Sequence, residues 1–330
     1  MDYVINIGLL IIGFIFLVKG ADFFVASSSS IARKFRVSPL VIGLTLVAFG
    51  TSLPELAVSF IASLTVAPGA TADIAMGNVI GSSIVNITLI LGLTALVRPV
   101  KVSNTMYRKE FPYLLFSTTL ILVLALFFQS DTRIVWYEAL ILLIAFIVYI
   151  YIMIKSGKSE NEDTEFKILN MKKSVLLLIV GLAGVTLGGY MVTEGASNLA
   201  TTVLVGLFGM STTKAITLVG LSVVAVGTSL PEMVTSVVAA KKGENEIAFG
   251  NLVGSNIFNI LFILGLSGLF TPLGINGDVV IDTFIMLGVT IIAVVFAITK
   301  DMVSKKEGFI LVLIYTAYVT YIVLRALAIV

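Results

Sequence analysis

The chain has 330 residues, of which 58% are hydrophobic and only 12% are charged, and its formal net charge is +2. Soluble domains carry about 25% charged residues, so this composition excludes an ordinary soluble protein. Cysteine and histidine are absent, which excludes disulfides, thiolate or imidazole metal sites and histidine proton relays. A metal ion would therefore be bound through oxygen, and oxygen ligands favour hard cations such as Na⁺, Ca²⁺ or Mg²⁺.

Apolar runs of about 20 residues recur along the chain, and a helix of that length crosses the hydrocarbon core of a bilayer. Backbone groups in lipid must be satisfied within each segment, and the sequence lacks the short alternating strands of a transmembrane barrel. We therefore predict an all-α polytopic membrane protein with ten transmembrane helices. The predicted spans cover residues 3–32, 38–66, 73–97, 111–128, 134–154, 174–207, 213–240, 247–270, 278–299 and 308–330.

The distribution of lysine and arginine gives these spans an orientation. Seventeen of the 21 basic residues lie in loops after odd-numbered spans, and only two lie in loops after even-numbered spans. Basic loops of membrane proteins stay in the cytoplasm. We predict a multi-pass protein of the cell membrane with both termini outside and the polar loop 155–173 in the cytoplasm. Lys19, within the first span, is expected to reach toward the headgroups or to pair with Asp22.

Two segments of the chain occur twice. GLTLVAFGTSLPELAVSFIA at 43–62 matches GLSVVAVGTSLPEMVTSVVA at 220–239. GNVIGSSIVNITLILGL at 77–93 matches GNLVGSNIFNILFILGL at 250–266. Each half of the chain therefore contains one copy of each segment, in the same order.

Each half also contains five predicted spans, an odd number, so the second half must enter the membrane from the opposite side. We predict two inverted five-helix repeats, 1–154 and 174–330, joined by the cytoplasmic loop 155–173. Inverted repeats are an architecture of secondary transporters, whose binding site lies near the membrane midplane between the halves. Gene duplication and close helix packing would also produce a repeat, but they do not explain the polar residues that the repeated segments contain.

Each repeat carries the sequence GTSLPE in the middle of an apolar span. Pro54 and Pro231 lack an N–H group, and a proline disfavours helical geometry in the residue before it. We predict that spans 2 and 7 are broken at these prolines and that nearby backbone carbonyls are free to face a cavity. Glu55 and Glu232 follow directly, although a charge at the bilayer centre costs at least about 2.5–3.5 kcal/mol. Two such acids in inverted halves are expected to converge on one site that holds cations.

Further oxygen atoms lie near each glutamate. The residues four and three positions before the glutamates carry hydroxyl groups on the same helical face; they are Thr51, Ser52, Thr228 and Ser229. Spans 3 and 8 carry a second polar set at positions i, i+4 and i+8; it consists of Asn78, Ser82, Asn86, Asn251, Ser255 and Asn259. Hard-cation sites use this mixture of ligands, but a kink with a paired acid and interhelical hydrogen bonds would use the same residue types. Duplication in inverted copies favours the functional interpretation for the glutamates.

The paired GTSLPE segments, each followed by GN-x-x-GS-x-x-x-N, resemble the α-repeats of the Na⁺/Ca²⁺ exchanger family within the calcium/cation antiporter superfamily. The strong match covers residues 43–96 and 220–269, and the layout of five plus five spans extends it to the whole chain. The resemblance implies an antiporter that exchanges Na⁺ for Ca²⁺ by alternating access and needs no cofactor besides the transported ions. It implies Ca²⁺ bound by Glu55, Glu232 and the carbonyls of Thr51 and Thr228. It implies Na⁺ sites built from the same glutamates, the carbonyls of Ala48 and Ala225, and the serines Ser52, Ser82, Ser229 and Ser255. Asn86 and Asn259 would line the centre.

Two departures from the family pattern refine this expectation. Potassium-dependent relatives carry aspartate at the position of Asn259, so we expect no potassium requirement. Animal members insert a large calcium-sensing region between the halves, and the 19-residue loop 155–173 is too short to hold one. The chain is similar to a prokaryotic-type member without a regulatory domain.

Other functions stay open at this point. A proton/calcium antiporter would also use clustered acids, and a cation channel would use them as a selectivity filter, although two inverted halves argue against a channel. An intramembrane enzyme would need a nucleophile and a base, and no such pair stands out. The expected partners are Ca²⁺, Na⁺, H⁺ as a competitor, and the lipid bilayer. We expect no nucleic acid and no required protein partner.

Overall fold

A computed structural model describes residues 2–67, 69–103, 106–128, 132–156, 169–206, 209, 219 and 225–326. In chain order, its helices are α1 (Asp2–Lys34), α2 (Pro39–Thr51), α3 (Leu53–Thr65), α4 (Asp73–Val97), α5 (Met106–Phe127), α6 (Trp136–Ser156), α7 (Met171–Gly206), α8 (Leu230–Lys242), α9 (Asn245–Phe270), α10 (Gly277–Thr299) and α11 (Lys305–Ala326). Four two-residue strands also form: β1 (Val100–Lys101), β2 (Arg133–Ile134), β3 (Leu273–Gly274) and β4 (Met302–Val303).

Most of these helices are long enough and apolar enough to cross a bilayer. Within the described residues there are 8 such helices, or 9 when the bent pair α2 and α3 is counted as one span. The prediction of an all-helical polytopic membrane protein is therefore confirmed. The predicted seventh span, 213–240, falls only partly on described residues, which resume with the helical turn Ala225–Gly227 and α8.

The most buried of the long helices are α4 and α9, which carry the second polar set. In an 18-residue apolar stretch of each of these two helices, 78% and 83% of the residues are buried, against 50% or less in the same kind of stretch of every other long helix that the structure describes. Asparagine and serine side chains are tolerated there because they face protein rather than lipid. The helices predicted to line the site thus form the centre of the bundle.

Helices α1 and α7 lie side by side at the periphery of the bundle. Their backbones approach closely at glycines: a Cβ atom at Gly181 would lie 2.5 Å from the backbone nitrogen of Phe24, and one at Gly188 would lie 2.6 Å from that of Leu17. Small residues permit this kind of contact between membrane helices, where dispersion must replace the hydrophobic effect. The outer surfaces carry exposed apolar side chains, such as those of Ile11 and Leu176.

The four strands form two antiparallel pairs that are related by the sequence repeat. Strand β1 pairs with β4, with Val100 opposite Val303, and β2 pairs with β3, with Ile134 opposite Leu273. By the order of the elements, β3 follows α9 as β1 follows α4, and β4 precedes α11 as β2 precedes α6. Exchanging equivalent strands of the two halves therefore converts one strand pair into the other. Because α5 runs from β1 to β2, the two pairs lie at opposite ends of the bundle.

Other contacts separate the loops in the same way. Loops after odd-numbered spans meet each other: Arg33 pairs with Glu244 at 2.9 Å, and the backbone N–H of Val102 donates to Asp301. At the opposite end, the N–H of Ala72 donates to the carbonyl of Pro272. We call the ends formed by loops after odd-numbered and even-numbered spans the odd end and the even end.

Of the two alternatives for Lys19, the pair with Asp22 is not found. The Asp22 carboxylate forms an ion pair with Lys242 at 3.1 Å, and the Lys242 ammonium also donates a hydrogen bond to the Asp22 backbone carbonyl at 2.8 Å. Lys19 forms no ion pair within the described part of the chain. The tertiary contact with Lys242 takes precedence over the partner three residues away on the same helix.

Candidate cation-binding site

Two helices meet at a bend within the GTSLPE sequence of the first half. Helices α2 and α3 meet at an angle of 51°, and Ser52 between them has φ −84° and ψ 9°. Pro54 occupies the first turn of α3, where its missing N–H is tolerated. Ser229 has nearly the same conformation before α8, with φ −90° and ψ 8°, so the equivalent residue of the second half makes the same turn.

The break exposes fewer carbonyls than the sequence indicated. The Ala48 carbonyl accepts a hydrogen bond of 3.0 Å from the N–H of Ser52. It therefore does not lose its donor, although a carbonyl oxygen has a second lone pair. In the second half, the N–H of Ser229 donates to Val226 at 3.1 Å, and Ala225 begins the short helical turn before it.

The two predicted acids come together through reciprocal hydrogen bonds. The Ser52 hydroxyl donates to Glu232 Oε1 at 2.8 Å, and the Ser229 hydroxyl donates to Glu55 Oε1 at 3.1 Å. Each serine ends the helix break of one half and binds the carboxylate of the other half. The glutamates are therefore joined across the boundary between the halves, as their equivalent positions predicted.

Both carboxylates are fully buried, with 0% exposure. The described residues give neither glutamate an ion pair with lysine or arginine, and no third acidic group completes a cluster of three in that part of the chain. Two like charges in a low-dielectric site repel each other, and burying them without counter-charge is unfavourable. The site is therefore suited to hold cations between the carboxylates.

Oxygen atoms without hydrogen-bond donors point to the same conclusion. Within the described residues, the second carboxylate oxygens of Glu55 and Glu232 and the Oδ1 atoms of Asn86 and Asn259 are buried and accept no hydrogen bond. A buried acceptor without a donor costs about 1–3 kcal/mol, and these four belong to residues of the predicted site. A cation would satisfy acceptors of this kind, whereas a hydrophobic core would not contain them.

The remaining predicted residues lie in or beside this core. Thr51 lies near Glu232 and Thr228 lies near Glu55, and the Thr51 hydroxyl donates to the Asn251 Oδ1 at 3.0 Å. Two further residues of the predicted site, Ser82 on α4 and Ser255 on α9, have buried side chains. Ser82 accepts a hydrogen bond of 3.1 Å from the amide of Asn259.

Asn78 and Asn251 direct their amide N–H groups toward the helices that bear the glutamates. The Asn78 amide donates to the Glu55 carbonyl at 3.2 Å, and the Asn251 amide donates to the Glu232 carbonyl at 3.3 Å. Carbonyl oxygens only accept hydrogen bonds, so the N–H side of each asparagine must face the helix that bears the glutamate. Both residues therefore contact the backbone of the acids, which the periodic pattern did not indicate.

Two features of the site were missed by sequence reasoning. Asn86 begins a π-helical turn, Asn86–Ile90, and Asn259 lies in another, Phe258–Ile263. Similar turns also occur at Gly43–Val47, Met106–Glu110 and Leu124–Phe128. Asn256, which has serine as its counterpart in the first half, accepts from the Asn86 amide at 3.1 Å. Neither the turns nor the direction of this contact has a signature in the sequence.

The fold and this core define a class of protein: a polytopic membrane protein with an acid-containing polar centre, as expected of a cation transporter. Comparison with known proteins supplies the family. The family model described as sodium/calcium exchanger protein matches residues 5–155 and 173–324, and the chain therefore belongs to the sodium/calcium exchanger family. Members of this family are transporters, not enzymes.

Individual relatives agree with this assignment over nearly the whole chain. A sodium/calcium exchanger of Methanosarcina acetivorans, MaX1, is 35% identical over 95% of this chain and 97% of its own length. The inner membrane protein YrbG of Escherichia coli is 37% identical over 80% of this chain and 79% of its own. A solved structure of the sodium-calcium exchanger NCX_Mj, soaked with 10 mM Na⁺ and zero Ca²⁺, has a TM-score of 0.80 at 32% identity and covers 96% of this chain and 99% of its own.

Proposed function

We propose that this protein exchanges Na⁺ for Ca²⁺ at one site between Glu55 and Glu232, by alternating access. One observation carries the proposal: two fully buried carboxylates, one from each half, are joined by reciprocal serine bonds of 2.8 and 3.1 Å. Such a pair requires positive charge, and either several Na⁺ or one Ca²⁺ supplies it. Because both ions need the same carboxylates, they compete, and this competition couples their fluxes.

The ligand assignment combines the site with the resemblance to exchangers. Ca²⁺ binds the two glutamates and the carbonyls of Thr51 and Thr228, which flank the helix breaks. Na⁺ uses the same acids with smaller sets of hydroxyls, amides and carbonyls; these are provided by Ala48, Ala225, Ser52, Ser229, Ser82, Ser255, Asn86 and Asn259. Two carboxylates balance one Ca²⁺, whereas three Na⁺ would leave one extra positive charge. An electrogenic 3:1 exchange is what the family resemblance implies.

The full architecture in this proposal has ten spans in two inverted halves, 1–154 and 174–330. The strand pairs support the inverted arrangement. Pairs β1–β4 and β2–β3 are built from equivalent strands of the two halves, yet they lie at opposite ends of the bundle. The helix breaks at Ser52 and Ser229 provide the flexible points of spans 2 and 7. Helices α1 and α7, at the periphery, slide across this core and open the site to one side at a time.

The orientation follows from the charges of the loops. The odd end carries most lysine and arginine residues and faces the cytoplasm, with loop 155–173, while both termini lie outside. This arrangement places the protein in the cell membrane as an exchanger between the cytoplasm and the exterior.

Flux measurements in proteoliposomes test the proposal. Vesicles loaded with Na⁺ should accumulate radioactive Ca²⁺ only while an outward Na⁺ gradient exists, and Glu55→Gln should abolish this uptake. Separate vesicles with a pH gradient and no Na⁺ provide the control for proton coupling. Uptake that follows the pH gradient instead, passive Ca²⁺ flux without any gradient of a second ion, or unchanged uptake by Glu55→Gln would each overturn the proposal.

A further inference from the structure

Asn78 and Asn251 form the same two-point contact in both halves of the protein. The Asn78 amide donates to the Glu55 carbonyl at 3.2 Å and to the Ser59 hydroxyl at 2.9 Å. The Asn251 amide donates to the Glu232 carbonyl at 3.3 Å and to its serine counterpart, Ser236, at 2.9 Å. The side-chain amide has two N–H groups, so each asparagine uses both to hold the first two turns of the helix that carries the acid.

The contact persists although the connections differ in length. Asn78 follows Glu55 by 23 positions, whereas Asn251 follows Glu232 by only 19 positions. The extra positions of the first half lie in the loop before α4. A contact inherited from the loop geometry would change with that difference. The closely similar bond lengths in the two halves show that the helix faces themselves determine it.

These bonds link the two groups of predicted ligands. Each asparagine lies on the helix that also carries a serine and an asparagine of the polar core, four and eight residues further on. By holding the glutamate backbone, it sets the position of the carboxylate relative to those oxygens before any ion arrives. Residues behind the direct ligands change metal affinity by about 10- to 100-fold when they are replaced.

We propose that Asn78 and Asn251 are positioning residues that clamp the glutamate helices to the neighbouring spans, and that they are not cation ligands. The proposal rests on the proposed function for its transport consequence. The clamp itself consists of protein contacts and exists without ions. Asn251 has an additional role, because its Oδ1 accepts the Thr51 hydroxyl at 3.0 Å and so joins the clamp of one half to the helix break of the other.

The test compares Asn78→Ala, Asn78→Asp, Asn251→Ala and Asn251→Asp with Ser63→Ala as a control. Ser63 is also buried, on α3, and its hydroxyl bonds only its own helix, at Phe60. Half-saturating Ca²⁺ for Na⁺-driven uptake should rise about 10- to 100-fold in all four asparagine variants and stay unchanged in Ser63→Ala. The aspartate variants should lose as much Ca²⁺ affinity as the alanine variants, because aspartate has no N–H group to donate. If the asparagines were cation ligands, the carboxylate of aspartate would preserve the affinity.

A second measurement separates the clamp from the transport proposal. Amide hydrogen exchange in the first two turns of α3 and α8 is followed in purified protein without Ca²⁺ or Na⁺. Exchange should be faster in the asparagine variants, each in its own half, and should be intermediate in Ser59→Ala, which removes one of the two contacts. Wild-type affinity in either aspartate variant, or unchanged exchange in both alanine variants, would overturn the clamp; absence of Na⁺-driven uptake by the wild type would instead overturn the proposed function.

Discussion

Ser52 donates a hydrogen bond of 2.8 Å to Glu232, so the residue at the helix break of one half binds the acid of the other half. Ser229 and Glu55 make the equivalent bond in the opposite direction, at 3.1 Å. A movement of either break therefore displaces the carboxylate of the partner half. The two halves contribute one joint site, and neither has a complete site by itself.

This reciprocity predicts that Ser52→Ala and Ser229→Ala have similar effects. A hydrogen bond to a charged group contributes about 1.5–3 kcal/mol, which corresponds to a loss of affinity of about tenfold or more. We expect half-saturating Ca²⁺ in vesicle uptake to increase by at least that factor in each variant. Ser63→Ala serves as the control because its hydroxyl bonds only the Phe60 carbonyl. A large effect in one serine variant with none in the other would contradict the joint site.

The close contact between α1 and α7 predicts a different defect when a glycine is enlarged. A Cβ atom at Gly188 would lie 2.6 Å from the backbone nitrogen of Leu17 and 2.7 Å from the Gly13 carbonyl. Because backbone atoms cannot move aside, Gly188→Ala forces the helices apart, and such overpacking costs about 1–3 kcal/mol. Thermal stability and the maximal uptake rate should fall, while equilibrium Ca²⁺ binding persists because the acids lie on other helices.

Gly8→Ala is the matched control for this experiment. Gly8 lies on α1, and no neighbouring atom lies within 4 Å of a Cβ placed there. Alanine favours the helix by about 0.8–1 kcal/mol over glycine, so this variant should retain the wild-type rate and stability. If both glycine variants behave alike, close approach at Gly188 does not limit the motion.

The sequence predicted the centre of the molecule better than its hydrogen bonds. The meeting of Glu55 and Glu232 was predictable because a buried charge is costly and the duplication placed the two acids at equivalent positions. The roles of Asn78 and Asn251 were not predictable, since periodicity assigns a residue to a helix face but not the direction of its amide. Whether the N–H or the oxygen faces an ion depends on the carbonyl opposite, which comes from another span.

Two further details differ from what the sequence indicated. The Ala48 carbonyl was expected to be free, but it keeps its ordinary helical donor, the N–H of Ser52 four residues later. Asp22 has a lysine three residues before it, yet it pairs with Lys242 from α8. The first difference is local, because the helix continues to Thr51, whereas the second depends on the tertiary contact between α1 and α8.

The number of acids at the site predicts how Asn259→Asp will behave. Asn259 is fully buried, and its Oδ1 accepts no hydrogen bond from the described residues. Aspartate would add a third carboxylate to the core, and the added charge must be balanced in a low-dielectric site. We expect Ca²⁺ uptake by the variant to become dependent on an additional monovalent cation such as K⁺, and uptake by the wild type to be independent of K⁺.

Asn256→Asp distinguishes this effect from a general change in charge. Both ends of the Asn256 amide are engaged, with Asn86 and with the Ser83 carbonyl. An acid there should reduce stability without creating potassium dependence. Potassium-independent uptake by Asn259→Asp, or the same potassium effect in both variants, would contradict the prediction.

The odd end of α1 is fastened by a partly buried ion pair. Arg33 lies 2.9 Å from Glu244, which is only 7% exposed and also accepts the Ser29 hydroxyl at 2.6 Å. Removing the arginine leaves the Glu244 carboxylate without its ion-pair partner, and loss of such a charged hydrogen bond destabilises the closed end by about 1.5–3 kcal/mol. If α1 moves during transport, Arg33→Gln should therefore favour the state in which this end is open.

Cysteine labelling measures that shift, because the chain contains no cysteine of its own. Ser28 lies on α1, five residues before Arg33, and is fully buried. Ser28→Cys should therefore react slowly with a membrane-impermeant maleimide applied at the odd end. Adding Arg33→Gln should raise the labelling rate several-fold. Lys34→Gln should not, since Lys34 is exposed and its replacement removes the same charge. Equal labelling rates with the two glutamine variants would show that net charge, not the Arg33–Glu244 contact, determines how this end closes.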